Sequence, residues 1–128
     1  MKSICIIGVD RHDDRRFLTV PVDSEDITSS SNGLRCFVSG LQYIVRGRFS
    51  IVDVASLVVA FKGKREVFCG VAKGTRTGVD IENVVEVELY GDDALRTKAD
   101  GKLVNNISHL LVDNIEHRRD ELNAMLDK

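Results

Sequence analysis

Ile4-Cys5-Ile6-Ile7-Gly8-Val9-Asp10 is an apolar stretch that ends in a carboxylate. An apolar run without alternation is typical of a strand that is covered on both faces, as in the centre of an α/β sheet. The next six residues, Arg11-His12-Asp13-Asp14-Arg15-Arg16, form a dense charged turn. The stretch therefore predicts a central strand over residues 4–9 with Asp10 at its end.

The composition indicates one globular domain. The chain has 128 residues, of which 43% are hydrophobic and 30% are charged. A chain of this length buries about two thirds of the surface that it exposes when unfolded. The single proline and ten glycines argue against disorder. We therefore predict a single domain over residues 1–128.

Charge and cysteine content restrict the partners and the compartment. The net charge of -2 gives no general attraction to nucleic acid or membranes, so polyanion binding needs a local basic patch. Cys5, Cys36 and Cys69 have apolar neighbours and no C-x-x-C spacing, which is typical of core residues in a reducing compartment. No run approaches about 20 apolar residues, and the first apolar run meets charges at once, unlike a secretory signal. We expect a cytoplasmic protein that has no membrane contact.

Hydrophobic spacing predicts the elements of the N-terminal half. Residues 17–22 alternate and follow the charged turn, which predicts a hairpin partner for the first strand, with Pro21 at its frayed end. Residues 27–28 are candidates for a third, edge strand. Between residues 33 and 47 the apolar side chains recur every three or four positions, which predicts a helix. Those side chains are Leu34, Phe37, Val38, Leu41, Ile44 and Val45.

The C-terminal half is predicted to alternate between strands and helices. We expect a buried strand over residues 56–61, a glycine-spaced helix over 70–85 and a strand over 86–90. A short helix over 93–98 and a long amphipathic helix over 103–126 then complete the chain. This order predicts an α/β fold with a mixed five-stranded sheet and helices on both faces.

Asp10 is the first candidate for chemistry. A carboxylate at the end of a central strand lies where open α/β sheets usually bind ligands or metals. The alternative is that Asp10 caps a turn or pairs with Arg11 or Arg15. A single acid does not make a magnesium site, because this ion needs two or more convergent carboxylates.

The predicted closing helix offers a second set of polar residues. At about 100° per residue, four of its side chains share one flank: Asn106, Asp113, His117 and Asp120. Asp113 and His117 are four residues apart and can touch on a helix. The alternative is a solvated face, and proximity to Asp10 would decide between the two.

Basic residues crowd into a 15-residue segment. They are Lys62, Lys64, Arg65, Lys73 and Arg76, opposed only by Glu66. Such a patch is suited to non-specific, salt-sensitive contacts with phosphates. A solvated loop is the alternative. The segment lacks the spacing G-x-x-x-x-G-K-[ST], so a nucleotide P-loop is not expected.

Several short motifs together resemble the ribonuclease H-like superfold, and within it the RuvC-type resolvases and a related group of short bacterial proteins. These motifs are Gly8-Val9-Asp10, Leu57-Val58-Val59, Lys62-Gly63-Lys64, the glycines of residues 70–78, Val87-Glu88-Leu89 and Asp92-Asp93-Ala94-Leu95-Arg96. They extend from residue 3 to about residue 101. The resemblance implies a mixed sheet and, in active members, hydrolysis of phosphodiesters by two magnesium ions held by Asp and Glu.

The resemblance also assigns roles to individual residues. Asp10 matches the acid of the first strand, and Asp113 or His117 matches the last acid or histidine. The acid expected at the end of the fourth strand is missing, since Ala60, Phe61 and Lys62 stand there and Glu66 comes several residues later. The predicted metal ligands are Asp10, Glu66 and Asp113, and the predicted catalytic residues are Asp10, Asp113 and His117.

Three functions follow as hypotheses. The first is a nucleic-acid-related domain with degenerate catalytic acids, which contacts DNA or RNA through the basic residues. The second is an active magnesium-dependent nuclease, and the third is a non-enzymatic module that binds a partner or a small molecule. The apolar end of the last predicted helix, with Leu122, Met125 and Leu126, is a candidate surface for a homodimer.

Overall fold

A computed structural model describes residues 2–23, 35–38, 41–45, 48–75, 78–90, 94–99, 102–104 and 110–126. The strands are β1 (Lys2–Asp10), β2 (Asp13–Asp23), β3 (Arg35–Val38), β4 (Leu41–Val45), β5 (Ser50–Asp53), β6 (Val67–Thr75), β7 (Gly78–Tyr90), β8 (Ala94–Ala99), β9 (Lys102–Val104) and β10 (Leu111–Val112). The helices are α1 (Val54–Lys62) and α2 (Ile115–Leu126). The fold is α/β with one mixed sheet, as predicted, but the sheet has more than the five predicted strands.

β1 lies in the interior of the sheet. It pairs antiparallel with β2 on one side. On its other side, Ile4 to Ile6 pair in parallel with β6, and Val9 and Asp10 pair in parallel with β10. The predicted central strand and its hairpin are therefore confirmed. Pro21 lies within β2 opposite Ile4, so it does not mark the end of that strand.

Three predicted helices are strands in the structure. Residues 35–38 and 41–45 form the antiparallel pair β3 and β4, where a helix over 33–47 was predicted. Residues 70–75 belong to β6 and residues 78–85 to β7, which also pair antiparallel, and residues 94–99 form β8. The segment 67–90 is rich in β-branched residues, which favour a pleated strand over a helix. The predicted edge strand at residues 27–28 lies outside the described residues.

The predicted strand over residues 56–61 is helix α1. Asp53 caps its start, because its Oδ1 accepts the N–H of Ser56 at 3.0 Å. At its end the N–H of Lys64 donates to the carbonyl of Phe61, and the N–H of Arg65 donates to that of Ala60. This pair of bonds is a Schellman motif, in which Lys64 takes a left-handed backbone conformation with φ of 60°.

The predicted helix over residues 103–126 is much shorter in the structure. Residues 102–104 and 111–112 are strands, and α2 begins only at Ile115. Asn114 caps the start of α2, because its Oδ1 accepts the N–H of His117 at 3.0 Å.

Two apolar clusters hold the described part of the chain together. The first contains Cys5, Ile7, Leu18 and Phe49, with Ile115 and Leu122 from α2. The second contains Ile6 and Phe17, with Val54 and Leu57 from α1. Neighbouring residues of a strand point to opposite faces, so α2 and α1 pack against different faces of β1 and β2. Leu122 is fully buried in this core, so it does not provide the predicted surface for self-association.

Candidate functional site at the end of the central strand

Asp10 is a buried carboxylate that is fully engaged within the chain. It lies at the end of β1 with only 5% of its surface exposed. Its Oδ1 accepts the backbone N–H of His12 at 2.9 Å, and its Oδ2 accepts Nη1 of Arg16 at 3.1 Å. Asp10 therefore caps the hairpin turn, and its ionic partner is Arg16 rather than Arg11 or Arg15.

Arg16 joins the end of β1 to α2. Its Nη2 donates to Oε1 of Glu116 at 2.6 Å, while its Nη1 holds Asp10. The hydrogen bond from Arg16 is the main cause that lowers the pKa of Glu116 below its ordinary value. The same bond is the main cause that raises the pKa of Arg16. One guanidinium thus bridges two carboxylates at the carboxyl end of β1.

Asp113 reaches the same end of the sheet through β10. The N–H of Arg11 donates to the carbonyl of Val112 at 2.9 Å, which places the next residue, Asp113, beside Arg11. Nε of Arg11 lies 2.5 Å from Oδ1 of Asp113, and both side chains are exposed. Of the predicted catalytic residues, Asp10 ends β1 and Asp113 directly follows β10, its parallel partner, and each carboxylate has its own arginine.

His117 and Asp120 do not share a helix with Asp113. Asp113 precedes α2, so the predicted contact between residues at i and i+4 of one helix does not apply to Asp113 and His117. His117 is exposed in the first turn of α2. Asp120 accepts Nε of Arg119 at 3.0 Å. The predicted flank of four polar residues is therefore not formed by one helix, and Asn106 lies outside the described residues.

Glu66 lies at the other end of β1. Its backbone carbonyl accepts the N–H of Ile4 at 3.0 Å. Six residues of strand separate Ile4 from Asp10, which is about 20 Å at about 3.3 Å per residue. The three predicted metal ligands, Asp10, Glu66 and Asp113, therefore do not converge.

The donor set does not fit a magnesium ion. Magnesium requires near-octahedral oxygen ligands, usually from one or two accessible carboxylates with several retained waters. Both oxygens of Asp10 already accept hydrogen bonds from the chain. Within the described ranges, no three His, Cys, Asp or Glu side chains are grouped closely enough to hold a metal ion.

The predicted basic residues occupy two separate places. Lys62, Lys64 and Arg65 follow one another around the turn between α1 and β6. Lys73 lies eight residues along from Arg65 on β6, which is about 25 Å of extended chain. Arg76 lies outside the described residues. The compact part of the predicted patch is therefore the turn of Lys62, Lys64 and Arg65, which we name the basic turn.

A groove lies beside Arg16, on the side of β5. Its volume is about 510 Å³, within the usual range for ligand pockets. It is lined by Arg16, Ile51, Val52, Asp53, Ser56 and Arg119. The N–H and hydroxyl of Ser56 bind Asp53 and hold the pKa of this carboxyl below its usual value, so Asp53 is ionised at neutral pH.

The sequence did not single out Arg16, Glu116 and Arg119. Arg16 and Glu116 are 100 residues apart in the chain, and a pairing of that range leaves no periodic signal. A local signal did exist for the helix that carries Glu116. Asn114 is a preferred N-cap residue and is followed by an acid in the first turn, which marks the start of α2.

Comparisons of this chain with protein-family models, with curated proteins and with solved structures gave no match. The site therefore has to be interpreted from its own geometry. No helix within the described segments is long and apolar enough to cross a membrane.

Proposed function

We propose that this chain is a ribonuclease H-like domain that binds nucleic acid and does not cleave it. The order of elements supports the fold assignment. β1, β2 and β5 are antiparallel neighbours, α1 follows, and β6 then returns in parallel beside β1. This order resembles that of the superfold, in which the first strand carries an acid at its end, as β1 carries Asp10.

The double ion pair of Arg16 is the observation that carries the proposal. In metal-dependent nucleases, carboxylates at such a site hold the divalent ions that activate water. In this chain a guanidinium supplies positive charge to Asp10 and Glu116, and a second guanidinium pairs with Asp113. These acids therefore act as structural partners of arginine.

The basic turn is the proposed contact with nucleic acid. Lys62 and Lys64 are exposed, and Arg65 is partly exposed. The Schellman motif fixes the backbone of the turn, so its side chains project from a backbone of defined conformation. Three phosphate contacts give an affinity that falls with salt on logarithmic axes, at a slope of about -2.7 for duplex DNA and about -2.1 for single strands.

Salt-dependent binding to single-stranded and branched DNA tests this proposal by fluorescence anisotropy. Lys62→Gln and Lys64→Gln should each make the slope shallower, by about 0.9 on branched duplex DNA and about 0.7 on single strands, because each removes one phosphate contact. Lys73→Gln is the matched control, and it should leave the slope unchanged because Lys73 lies far along β6. Equal slopes for all three variants would refute the basic turn as the contact.

A cleavage assay with magnesium and manganese tests the absence of catalysis. We expect no cleavage by the wild-type chain on either substrate. Metal-dependent cleavage that disappears in Asp10→Asn would contradict the proposal and support the active nuclease instead. Cleavage that persists in Asp10→Asn would indicate a contaminating nuclease.

The cysteines bear on the compartment of the protein. We infer a cytoplasmic location, because the buried side chains of Cys5 and Cys69 are in the thiol form, as in a reducing compartment. Burial raises the pKa of the Cys69 thiol to about 11, so this residue is a core side chain and not a nucleophile. A partner-binding role is supported by the groove beside β5.

A further inference from the structure

β5 has one edge on β2 and one edge toward the groove. Within the described residues β5 pairs with β2 alone. The hydroxyl of Thr19 on β2 donates to the carbonyl of Ser50 at 3.4 Å, so the carbonyl of Ser50 points toward β2. Peptide groups of adjacent residues in a strand point in opposite directions. The N–H and carbonyl of Ile51 therefore point away from β2.

Asn123 gives independent support for this direction. Its Oδ1 accepts the N–H of Phe49 at 2.8 Å, and its Nδ2 donates to the carbonyl of Phe49 at 3.0 Å. The side-chain amide thus pairs with Phe49 as the backbone of a neighbouring strand would. Phe49 lies two residues before Ile51, and both pack against the same apolar cluster, so their peptide groups share one direction. Asn123 covers this edge at Phe49, whereas no residue that the structure describes pairs with the edge at Ile51, which borders the groove.

The side chains of the groove favour an acidic segment. Arg16 and Arg119 both line it, and a guanidinium carries five N–H donors. Arg119 uses Nε for Asp120, and Arg16 uses two nitrogens for Asp10 and Glu116. Among the described residues of the lining, the carboxylate is that of Asp53, which accepts both the N–H and the hydroxyl of Ser56.

Apolar contact is also available. Ile51 and Val52 are each partly buried, and they border the same groove. A peptide in extended conformation presents backbone groups along its length and alternates its side chains. The backbone of such a peptide can pair with the peptide groups of Ile51. Its side chains can contact the two apolar side chains and the guanidinium groups.

We propose that the outer edge of β5 is a strand-addition site for an extended peptide that carries a carboxylate side chain. The peptide pairs its backbone with the N–H and carbonyl of Ile51, and its carboxylate contacts Arg119. This role is separate from nucleic-acid binding and does not depend on it.

Amide hydrogen exchange of the free protein tests the open edge. The N–H of Val52 points toward β2 and should exchange slowly, whereas the N–H of Ile51 should exchange quickly. The two residues are adjacent in one strand, so each is the control for the other. Equal protection of the two amides would overturn the proposal, because the edge would already be covered.

Two synthetic hexapeptides test the occupant, one alternating valine with glutamate and one alternating valine with lysine. At a free concentration of about nine times its Kd, the glutamate peptide should slow the exchange of the Ile51 amide about tenfold. The lysine peptide should bind more weakly, and Arg119→Gln should weaken the glutamate peptide about two- to fivefold. Lys73→Gln, at an exposed position outside the groove lining, should leave this Kd unchanged. No protection by the glutamate peptide at millimolar concentration, or equal binding of both peptides, would overturn the proposal.

Discussion

Arg16 and Glu116, 100 residues apart in the chain, form a 2.6 Å ion pair beside the buried carboxylate of Asp10. The second amino group of the same guanidinium holds Asp10 at 3.1 Å. This arrangement closes the β1–β2 hairpin onto the first turn of α2. Asp10 is the buried member of the trio, so its removal has the clearest expected effect on stability.

Asp10→Ala should lower the free energy of unfolding by about 1–3 kcal/mol, because it removes the acceptor of the His12 N–H and of Arg16. Urea denaturation of the variant and the wild type measures the difference. Asp14→Ala, at an exposed position just after the same turn, is the control and should stay within about 0.5 kcal/mol of wild type. A loss no greater than that of the control would show that Asp10 is not a structural partner of Arg16.

Glu116 should make the stability depend on pH in the acidic range. Its pKa in the folded protein is lowered from the ordinary 4.5, mainly by the hydrogen bond from Arg16. The stabilisation is therefore complete above about pH 4.5, and it is lost as the pH falls through the lowered folded-state pKa. The stability difference between wild type and Glu116→Gln should shrink as the pH is lowered from 7 to 3.

Urea denaturation at a series of pH values measures this difference directly. Wild type and Glu116→Gln share all other carboxylates. The titration of those that do not contact Glu116 therefore cancels in the stability difference. A difference that stays constant between pH 7 and pH 3 would mean that Arg16 does not hold the ionised form of Glu116.

The prediction of secondary structure failed where apolar spacing was ambiguous and local capping signals decided the outcome. Residues 56–61 were predicted to form a buried strand because the run is almost wholly apolar. Asp53, with Ser56 three residues later, and Gly63 at the other end mark a helix instead. The hairpin of β1 and β2 was predictable because the charged turn and the alternating apolar residues that follow it both indicate a hairpin.

The site was predictable at one residue and not at the others. Asp10 was identified because a strand pattern fixes the position of its last residue. The ionic partner of Asp10 is set by the packing of α2 against β1 and β2, and α2 begins twelve residues later than its predicted start at residue 103. Asp113 therefore precedes the helix, and its position relative to His117 is not set by the helical repeat, so the contacts of these two residues could not follow from the predicted helix.

Gly8 should be required by the close approach of β10. A Cβ at this position would lie 3.0 Å from Cγ2 of Val112 and 3.4 Å from Cβ of Leu18. Gly8→Ala should therefore cost about 1–3 kcal/mol through overpacking. In the double variant with Val112→Ala, part of this cost should be recovered, which a double-mutant cycle of urea denaturation measures. Strict additivity of the two changes would show that Val112 is not the obstacle.

Lys64 should be replaceable by glycine with a gain in stability. Its φ of 60° is the left-handed conformation that glycine adopts without a Cβ penalty. Lys64→Gly should raise the free energy of unfolding by about 0.5–1 kcal/mol, although it also removes a proposed phosphate contact. Lys64→Gln is the control, since it removes the charge and keeps the Cβ. Equal thermal midpoints for the two variants would contradict the backbone explanation.

Asn123 should stabilise the chain by two hydrogen bonds to the backbone of Phe49. Asn123→Ala should cost about 1–3 kcal/mol, because it leaves a part-buried N–H and carbonyl without their partner. Asn123→Asp keeps an acceptor for the N–H but loses the donor to the carbonyl. The Phe49 amide should therefore exchange quickly in Asn123→Ala and stay protected in Asn123→Asp, although both variants are less stable.

Ala124→Ser, at an exposed position of the same helix, is the control and should change stability by no more than about 0.5 kcal/mol. Continued protection of the Phe49 amide in Asn123→Ala would mean that another group covers this edge, and the strand-addition site at Ile51 would lose its support.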